Sequence, residues 1–199
     1  MADGQRIIDN DRQPRAGGST VWITGLSAAG KTTIARALES RLAELGTVAV
    51  LLDGDLLRRG LSSDLGISPE DRSEQARRTA HVAALIAGAG LVAVVSLISP
   101  YADDRRRARR IHEAAGLGFH EVWIDTPLRV CEERDPKGIY ARLRAGEIRA
   151  VTGVDSPYEP PADPDVRISG GECRPEDAVA EILLATGIAL TDDAPSVRR

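Results

Sequence analysis

The chain has 199 residues, 42% of them hydrophobic, enough for one domain with a substantial core and too few for two ordinary domains. Its 26 lysines and arginines are outweighed by 30 acids, and the formal charge of -4 argues against nucleic acid or an anionic membrane as partner, so any basic site must be local. The longest apolar stretch, Gly90 to Ile98, falls well short of the roughly 20 residues of a membrane span, and the opening MADGQRIIDNDRQ lacks the apolar core of a signal peptide, which predicts a cytoplasmic protein.

In chain order, residues 1–18 read as a flexible polar tail, 19–187 as the folded domain and 188–199 as a second tail. Strand-length apolar runs recur through the domain: VWIT at 21, VAVLL at 48, LVAVVSLI at 91, EVWID at 121 and VRIS at 166. They are continuous rather than alternating, as expected of strands covered on both faces in a parallel sheet. Helical segments separate them. Thr32 to Leu45 carries Ile34, Leu38, Leu42 and Leu45 on one face and ends at Gly46. Ser68-Pro69-Glu70-Asp71 supplies an N-cap, a first-position proline and first-turn acids for a helix reaching about Ala89. A third helix is predicted from near Asp103 to Ala115, and a last one from Pro175. This alternation predicts an α/β domain of three layers around a five-stranded parallel sheet. Cys131 and Cys173 have neither a disulfide framework nor zinc-ligand spacing around them. The segment from Arg134 to Pro164 is rich in Arg, Lys, Gly and Pro, poor in core residues, and reads as a mobile excursion or a solvated loop.

The first strand runs into GLSAAGKTT, Gly25 to Thr33, which satisfies G-x-x-x-x-G-K-[ST] between a buried strand and a helix. In that context the backbone N–H groups of Ala28 to Thr32 form a nest for phosphate, Lys31 reaches the β and γ phosphates and Thr32 ligates magnesium. The motif by itself does not separate a kinase from a switch GTPase or an ATPase motor. At the end of the second strand, Asp53-Gly54-Asp55 places two carboxylates on the same edge of the sheet, where they can orient a magnesium shell or accept the proton of an attacking hydroxyl; a solvated turn is the plainer reading. Arg58, Arg59, Arg72, Arg77 and Arg78 gather after this turn and suggest a local anion site, Arg58 and Arg72 gaining weight from being near it in sequence. The run Arg105-Arg106-Arg107, with Arg109 and Arg110, reads as an exposed helix face without a catalytic role.

GLSAAGKTT, LLDGDLLRRGL, DLGISPEDRSEQARR, SLISPY, RDPKGIYARLRAGEIRAVTG and VDSPYEPP follow one another over about 150 residues, and together they resemble adenylylsulfate kinase (APS kinase). The resemblance implies a P-loop kinase fold, MgATP as phosphate donor, the ribose 3′-hydroxyl of adenosine 5′-phosphosulfate as acceptor, PAPS as product, and a homodimer. It implies an ATP site formed by Gly25, Leu26, Ser27, Ala28, Ala29, Gly30, Lys31, Thr32, Thr33 and Arg134, with Thr32 and Asp53 at the metal. Lys31, Asp53, Asp55, Ser99 and Lys137 make the implied catalytic set, Asp55 being the preferred base. Asp55, Arg58, Ile67, Arg72, Gln75, Ile98, Ser99, Lys137, Val151 and Thr152 make the implied acceptor site, with Arg58 and Arg72 on the phosphosulfate end. In-line transfer needs no phosphorylated serine, so Ser99 is read as a substrate-site residue. Residues from about 134 to 164 correspond to a lid whose closure excludes water.

The pattern departs from the family at the acceptor base. Two phenylalanines that usually hold the adenine are replaced by Ile67 and Val151, Leu56 stands where asparagine is usual, and so does Gln75. Loss of two stacking faces would weaken base binding by about 1–3 kcal/mol. Alternatives to an adenylylsulfate kinase with an aliphatic clamp are a paralogue that phosphorylates another nucleoside 5′-conjugate and a non-catalytic nucleotide sensor.

Overall fold

The structure, a computed structural model, describes residues 18–188. Apart from Gly18 and Ile188, the expected tails lie outside the described residues. Ile188, read from sequence as the start of the C-terminal tail, instead packs in the core with 9% exposure.

Five parallel strands form the sheet: β1 (Ser19–Thr24), β2 (Ala49–Asp53), β3 (Val92–Ser96), β4 (Gly118–Ile124) and β5 (Val166–Ile168), in the order β2-β3-β1-β4-β5. All five overlap the predicted apolar runs. The central strand β1 alternates its side chains between two cores: Val21 and Ile23 face one, Trp22 the other, and all three are fully buried. Helices α1 (Lys31–Glu44) and α7 (Pro175–Thr186) cover the first face through Ile34, Leu38, Leu42 and Ile182. Helices α3 (Pro69–Gly88) and α4 (Ala102–Ala114) cover the second through Ala76, Ala80, Ala83 and Ala108, small residues that bring helix and sheet close together. Each buried Ile or Leu contributes about 1.5–3 kcal/mol of hydrophobic stabilisation.

The capping signals hold. Ser68 Oγ accepts from Asp71 N, 3.1 Å away, with Pro69 at the first turn of α3. Gly46 follows α1 with φ +77. Three short helices have too few turns to show periodicity in sequence: α2 (Gly54–Leu57), α5 (Leu128–Arg134) and α6 (Ile139–Arg144). Among the described residues no helix is long and apolar enough to cross a membrane.

Two sequence readings need correction. The excursion from 134 to 164 is not a core-poor loop, because Tyr140, Val151 and Thr152 are 1%, 5% and 2% exposed and α6 lies within it. Arg105 is not on a solvated face: it is 2% exposed, and Asp104, Arg105, Ala108 and His112 form the inward side of α4.

The topology fixes where a ligand can enter. From β1 the chain crosses to β2 on one side, and from β3 it crosses to β4 on the other, so the β1/β3 boundary is a switch point whose carboxyl-end crevice is open. Register sets Ile23 and Asp53 on either side of Ser96, so the loop after β1 and the acidic turn after β2 emerge together.

Candidate active site

The phosphate-loop candidate, Gly25 to Thr33, leaves β1 under tight constraint. A Cβ on Gly25 would lie 2.7 Å from Ile124 O, so only glycine allows this approach to β4. Gly30 caps α1 in the left-handed region, φ +105, and Ala28 also has φ +60. No side chain caps α1 and its first turn carries no acid, whereas α3, α4 and α7 all have first-turn acids. The free N–H groups and positive dipole end of α1 are therefore available to an anion. Other elements hold the loop by its carbonyls. Thr126 Oγ1 donates to Ala29 O (2.9 Å), Tyr140 Oη to Ser27 O (3.0 Å), and Arg134 Nη2 to Gly170 O (3.0 Å) beside the loop.

Lys31 is buried at the root of this loop and its Nζ donates to Leu26 O, 2.6 Å away. Burial lowers its pKa from 10.5 to about 8, the price of removing an ammonium from water before phosphate is there to balance it. Thr32 Oγ1 donates to Asp53 Oδ2 (2.7 Å) and lies 3.3 Å from Ser96 Oγ.

The two carboxylates of the Asp-Gly-Asp turn have different surroundings. Asp53 is 8% exposed and fully engaged: besides the Thr32 contact, its Oδ1 accepts from Asp55 N and Leu56 N and so caps α2. Asp55 has a 61% exposed side chain and, among the described residues, a single ionic partner, Lys137, which reaches across from the excursion. Gln75 Nε2 donates to Gly54 O (3.0 Å) and steadies the turn from α3.

Arg58 and Arg72 line the same cavity but are engaged with main chain. Arg58 Nη1 donates to Gly66 O (2.7 Å) and Leu65 O (3.3 Å). Arg72 Nε donates to Ile67 O (3.0 Å) and its Nη2 to Ala150 O (2.7 Å), so it links the segments that carry Ile67 and Val151. Those two residues differ in exposure, Ile67 at 53% and Val151 at 5%. The Asp155 carboxylate fixes the second by accepting from Ala150 N (2.9 Å) and Val151 N (2.6 Å). Thr152 is buried beside it. Ser99, with φ +37, is 2% exposed and its Oγ accepts from Trp22 Nε1 (3.0 Å).

A single cavity of about 1330 Å³ unites these parts. Its lining includes the loop from Ser27 to Thr33, Asp53, Asp55, Arg58, Ile67, Arg72, Gln75, Ile98, Ser99, Arg134, Lys137, Val151 and Thr152. Gly25 and Leu26 are absent from that lining and support the loop from below. The sequence reading missed Arg36, Glu39, Ile139, Arg142, Ile148 and Cys173, which also line the cavity. Arg36 and Glu39 sit one and two turns past Lys31 on α1, so helical spacing from the motif was the available signal.

Comparison with known proteins agrees with this geometry. The family model described as adenylylsulphate kinase matches residues 17–169. The adenylyl-sulfate kinase of Paraburkholderia xenovorans is 50% identical over 168 residues, covering 84% of this chain and 92% of that protein. The bifunctional enzyme CysN/CysC of Mycobacterium tuberculosis is 52% identical over 163 residues, which are 82% of this chain but only 26% of that longer protein. Among solved structures, the Mycobacterium tuberculosis APS kinase CysC in complex with AMPPNP and APS superposes with a TM-score of 0.82 at 48% identity, covering 85% of this chain and 97% of that one. A phosphate loop set against an acidic turn and an arginine-bearing cavity, in a chain that shares half its residues with such proteins over most of its length, belongs to the adenylylsulphate kinase family.

Proposed function

We propose that this protein transfers the γ-phosphate of MgATP to the ribose 3′-hydroxyl of adenosine 5′-phosphosulfate, giving PAPS. The observation that carries the reading is the continuity of the cavity, which the phosphate loop lines together with Asp55, Arg58, Ile67, Arg72 and Val151. Its volume exceeds the roughly 300–1000 Å³ of a one-ligand pocket and suits a donor together with an acceptor.

The residues divide the work. Main-chain N–H groups of Ala28 to Thr32 hold the donor phosphates, and Lys31 exchanges its bond to Leu26 O for phosphate oxygens. Thr32 Oγ1 and Asp53 Oδ2 are adjacent hard oxygens, a donor set that fits magnesium, which takes few protein ligands beside phosphate and water. Held there by Thr32 and Asp53, magnesium would supply positive charge to offset the negative charge that develops on the transferring phosphoryl group. Asp53 is committed to Thr32 and to the α2 cap, so Asp55 is the carboxylate free to receive the acceptor's proton. Lys137 leaves Asp55 for the transferring phosphoryl, and Arg134 closes the donor side. Arg58 and Arg72 line the cavity and are the cations that would hold the phosphosulfate. Ser99 shapes the acceptor wall. The 134–164 segment acts as the lid of domain 19–187, and a homodimeric assembly and a cytoplasmic location belong to the same proposal, on the strength of the resemblance.

A second reading is favoured by one observation: among the described residues none that lines the cavity is aromatic, and Ile67 in that lining is half exposed. A paralogue for another nucleoside 5′-conjugate would also keep the anion-binding arginines. Coupled ATP turnover with adenosine 5′-phosphosulfate, with PAPS identified by mass and compared across a panel of nucleoside 5′-conjugates, separates the two. Turnover of another conjugate in place of adenosine 5′-phosphosulfate would replace the first reading by the second, and tight ATP binding without any turnover would leave a sensor.

A further inference from the structure

The arginines that open α4 have different fates. Arg106 pairs with Asp103 near solvent, and the half-exposed Arg107 lies 3.7 Å from the buried Asp104. Arg105 turns inward, and each part of its guanidinium meets a different part of the chain. Nε donates to Glu121 Oε1 on β4 (2.6 Å), Nη1 to Ser99 O (2.7 Å) and Nη2 to Glu159 O (2.7 Å). A buried ion pair is weak evidence of a stabilising role, since desolvation offsets most of its attraction. What it does supply here is a fixed geometry, because the planar fork sets three acceptors in one plane.

Two of those acceptors belong to different segments, which other bonds also join. Ser99 lies in the loop Ile98-Ser99-Pro100, which forms a wall of the cavity, and Glu159 lies where the excursion returns to the sheet. Glu159 N donates to Pro100 O (2.8 Å), and Glu159 Oε2 accepts from Ala102 N (2.7 Å). The Tyr158 ring lies 6.0 Å from the Arg105 guanidinium carbon, and its hydroxyl is 3.1 Å from Thr24 Oγ1, which donates to Ile98 O (2.6 Å). Arg105 is the charged centre of this junction, and the left-handed backbone of Ser99 is held in place against its intrinsic preference.

We propose that Arg105 is a positioning residue for the acceptor half of the site: it locks the 98–100 wall to the return arm at 158–159. The far end of the excursion is thereby fixed, and movement is confined to the part that carries Lys137 and α6. This inference rests on the reading of the cavity as a kinase site. The phosphate loop has its own braces, Thr126 on Ala29 O, Tyr140 on Ser27 O and, at 3.5 Å, Arg134 Nη1 on Ala29 O, none of which passes through Arg105.

The test uses R105M/E121M, which removes both buried charges together and leaves neither unpaired. The acceptor KM should rise about 10- to 100-fold, as loss of substrate positioning does, while the KM for MgATP stays within about twofold because the donor braces are independent. Arg105→Lys, which keeps the Glu121 pair but cannot span both carbonyls, should show the same split, and the solvent-facing control Arg106→Gln should not. An acceptor KM unchanged in R105M/E121M, or donor and acceptor KM rising together with a lower melting temperature, would overturn the proposal. Hydrogen exchange on the ligand-free protein separates this outcome from a wrong acceptor assignment. Faster exchange at Glu159 and Ala102, with the phosphate-loop amides unchanged, supports the lock whatever the acceptor, and unchanged exchange at Glu159 and Ala102 rejects it.

Discussion

At the scale of single residues, the two carboxylates of the Asp-Gly-Asp turn are told apart by what already occupies them. Asp53 accepts from Thr32 Oγ1 and two backbone N–H groups, so Asp53→Ala should lose both the metal position and the α2 cap, the cap alone being worth about 0.5–2 kcal/mol. Asp55 caps nothing, and Asp55→Asn should lower kcat by about 10²–10⁴-fold, the range of general acid–base catalysis, with MgATP affinity nearly unchanged. Steady-state kinetics combined with calorimetric titration of nucleotide would read both effects, and a kcat for Asp55→Asn near that of the native protein would remove it from the chemistry. Lys31 carries a pH prediction. Burial holds its ammonium near pKa 8, and bound phosphates favour the charged form, so the pKa rises on binding. Nucleotide binding therefore takes up a proton only above about pH 8. Affinity should be level below that pH and weaken above it, by at most about tenfold per pH unit for one proton. Titrations of MgATP at stepped pH should show this slope in the native protein and lose it in Lys31→Ala.

At the scale of elements, the excursion decides most of the site's geometry. It contributes Lys137 to Asp55, Tyr140 to the phosphate loop and Val151 to the cavity wall, so a closed position should be favoured when the cavity is filled. Lys137, Arg142 and Arg144 have half-exposed or more exposed side chains, and trypsin should cut after them more slowly with MgATP and acceptor present. Equal cleavage with and without ligands would count against a lid. The same segment shows why part of the site was hidden in the sequence. The five strands were legible because a sheet covered on both faces demands unbroken apolar runs, and α1, α3, α4 and α7 because their faces or caps are local signals. Tyr140 is buried by a bond to Ser27 O from 113 positions away, and no local pattern announces such a partner. Arg105 was misread for another reason: within a run of arginines, composition outweighed phase. Its place one residue after Asp104 and three before Ala108 puts it on the inward side of α4. Arg58 and Arg72 are picked out in the sequence by proximity to the acidic turn and line the cavity, but their bonds to Gly66, Ile67 and Ala150 carbonyls depend on tertiary contact.

At the scale of the molecule, the site and the core are built from different materials. The sheet and its covering helices hold β1, α1 and β3 in place through side chains such as Val21, Leu38 and Val94, all fully buried. The cavity walls, by contrast, are joined by charged and polar links between the phosphate loop, the acidic turn and the excursion. Those links are replaceable by ligand, and a ligand that binds only the folded state must raise its stability by mass action. At a hundred times its dissociation constant, MgATP should add about 2.7 kcal/mol, which for a domain of this size raises the melting temperature by roughly 5–11 °C. Lys31→Ala should melt at or above the native temperature without ligand, because it removes an ammonium that is buried at a cost, and should lose most of the nucleotide-induced shift. Thermal scans of both proteins with and without MgATP measure the two effects separately. A Lys31→Ala protein that melts low even without ligand would make Lys31 a structural residue, and one that shifts as far as the native protein would mean that the phosphates are held elsewhere.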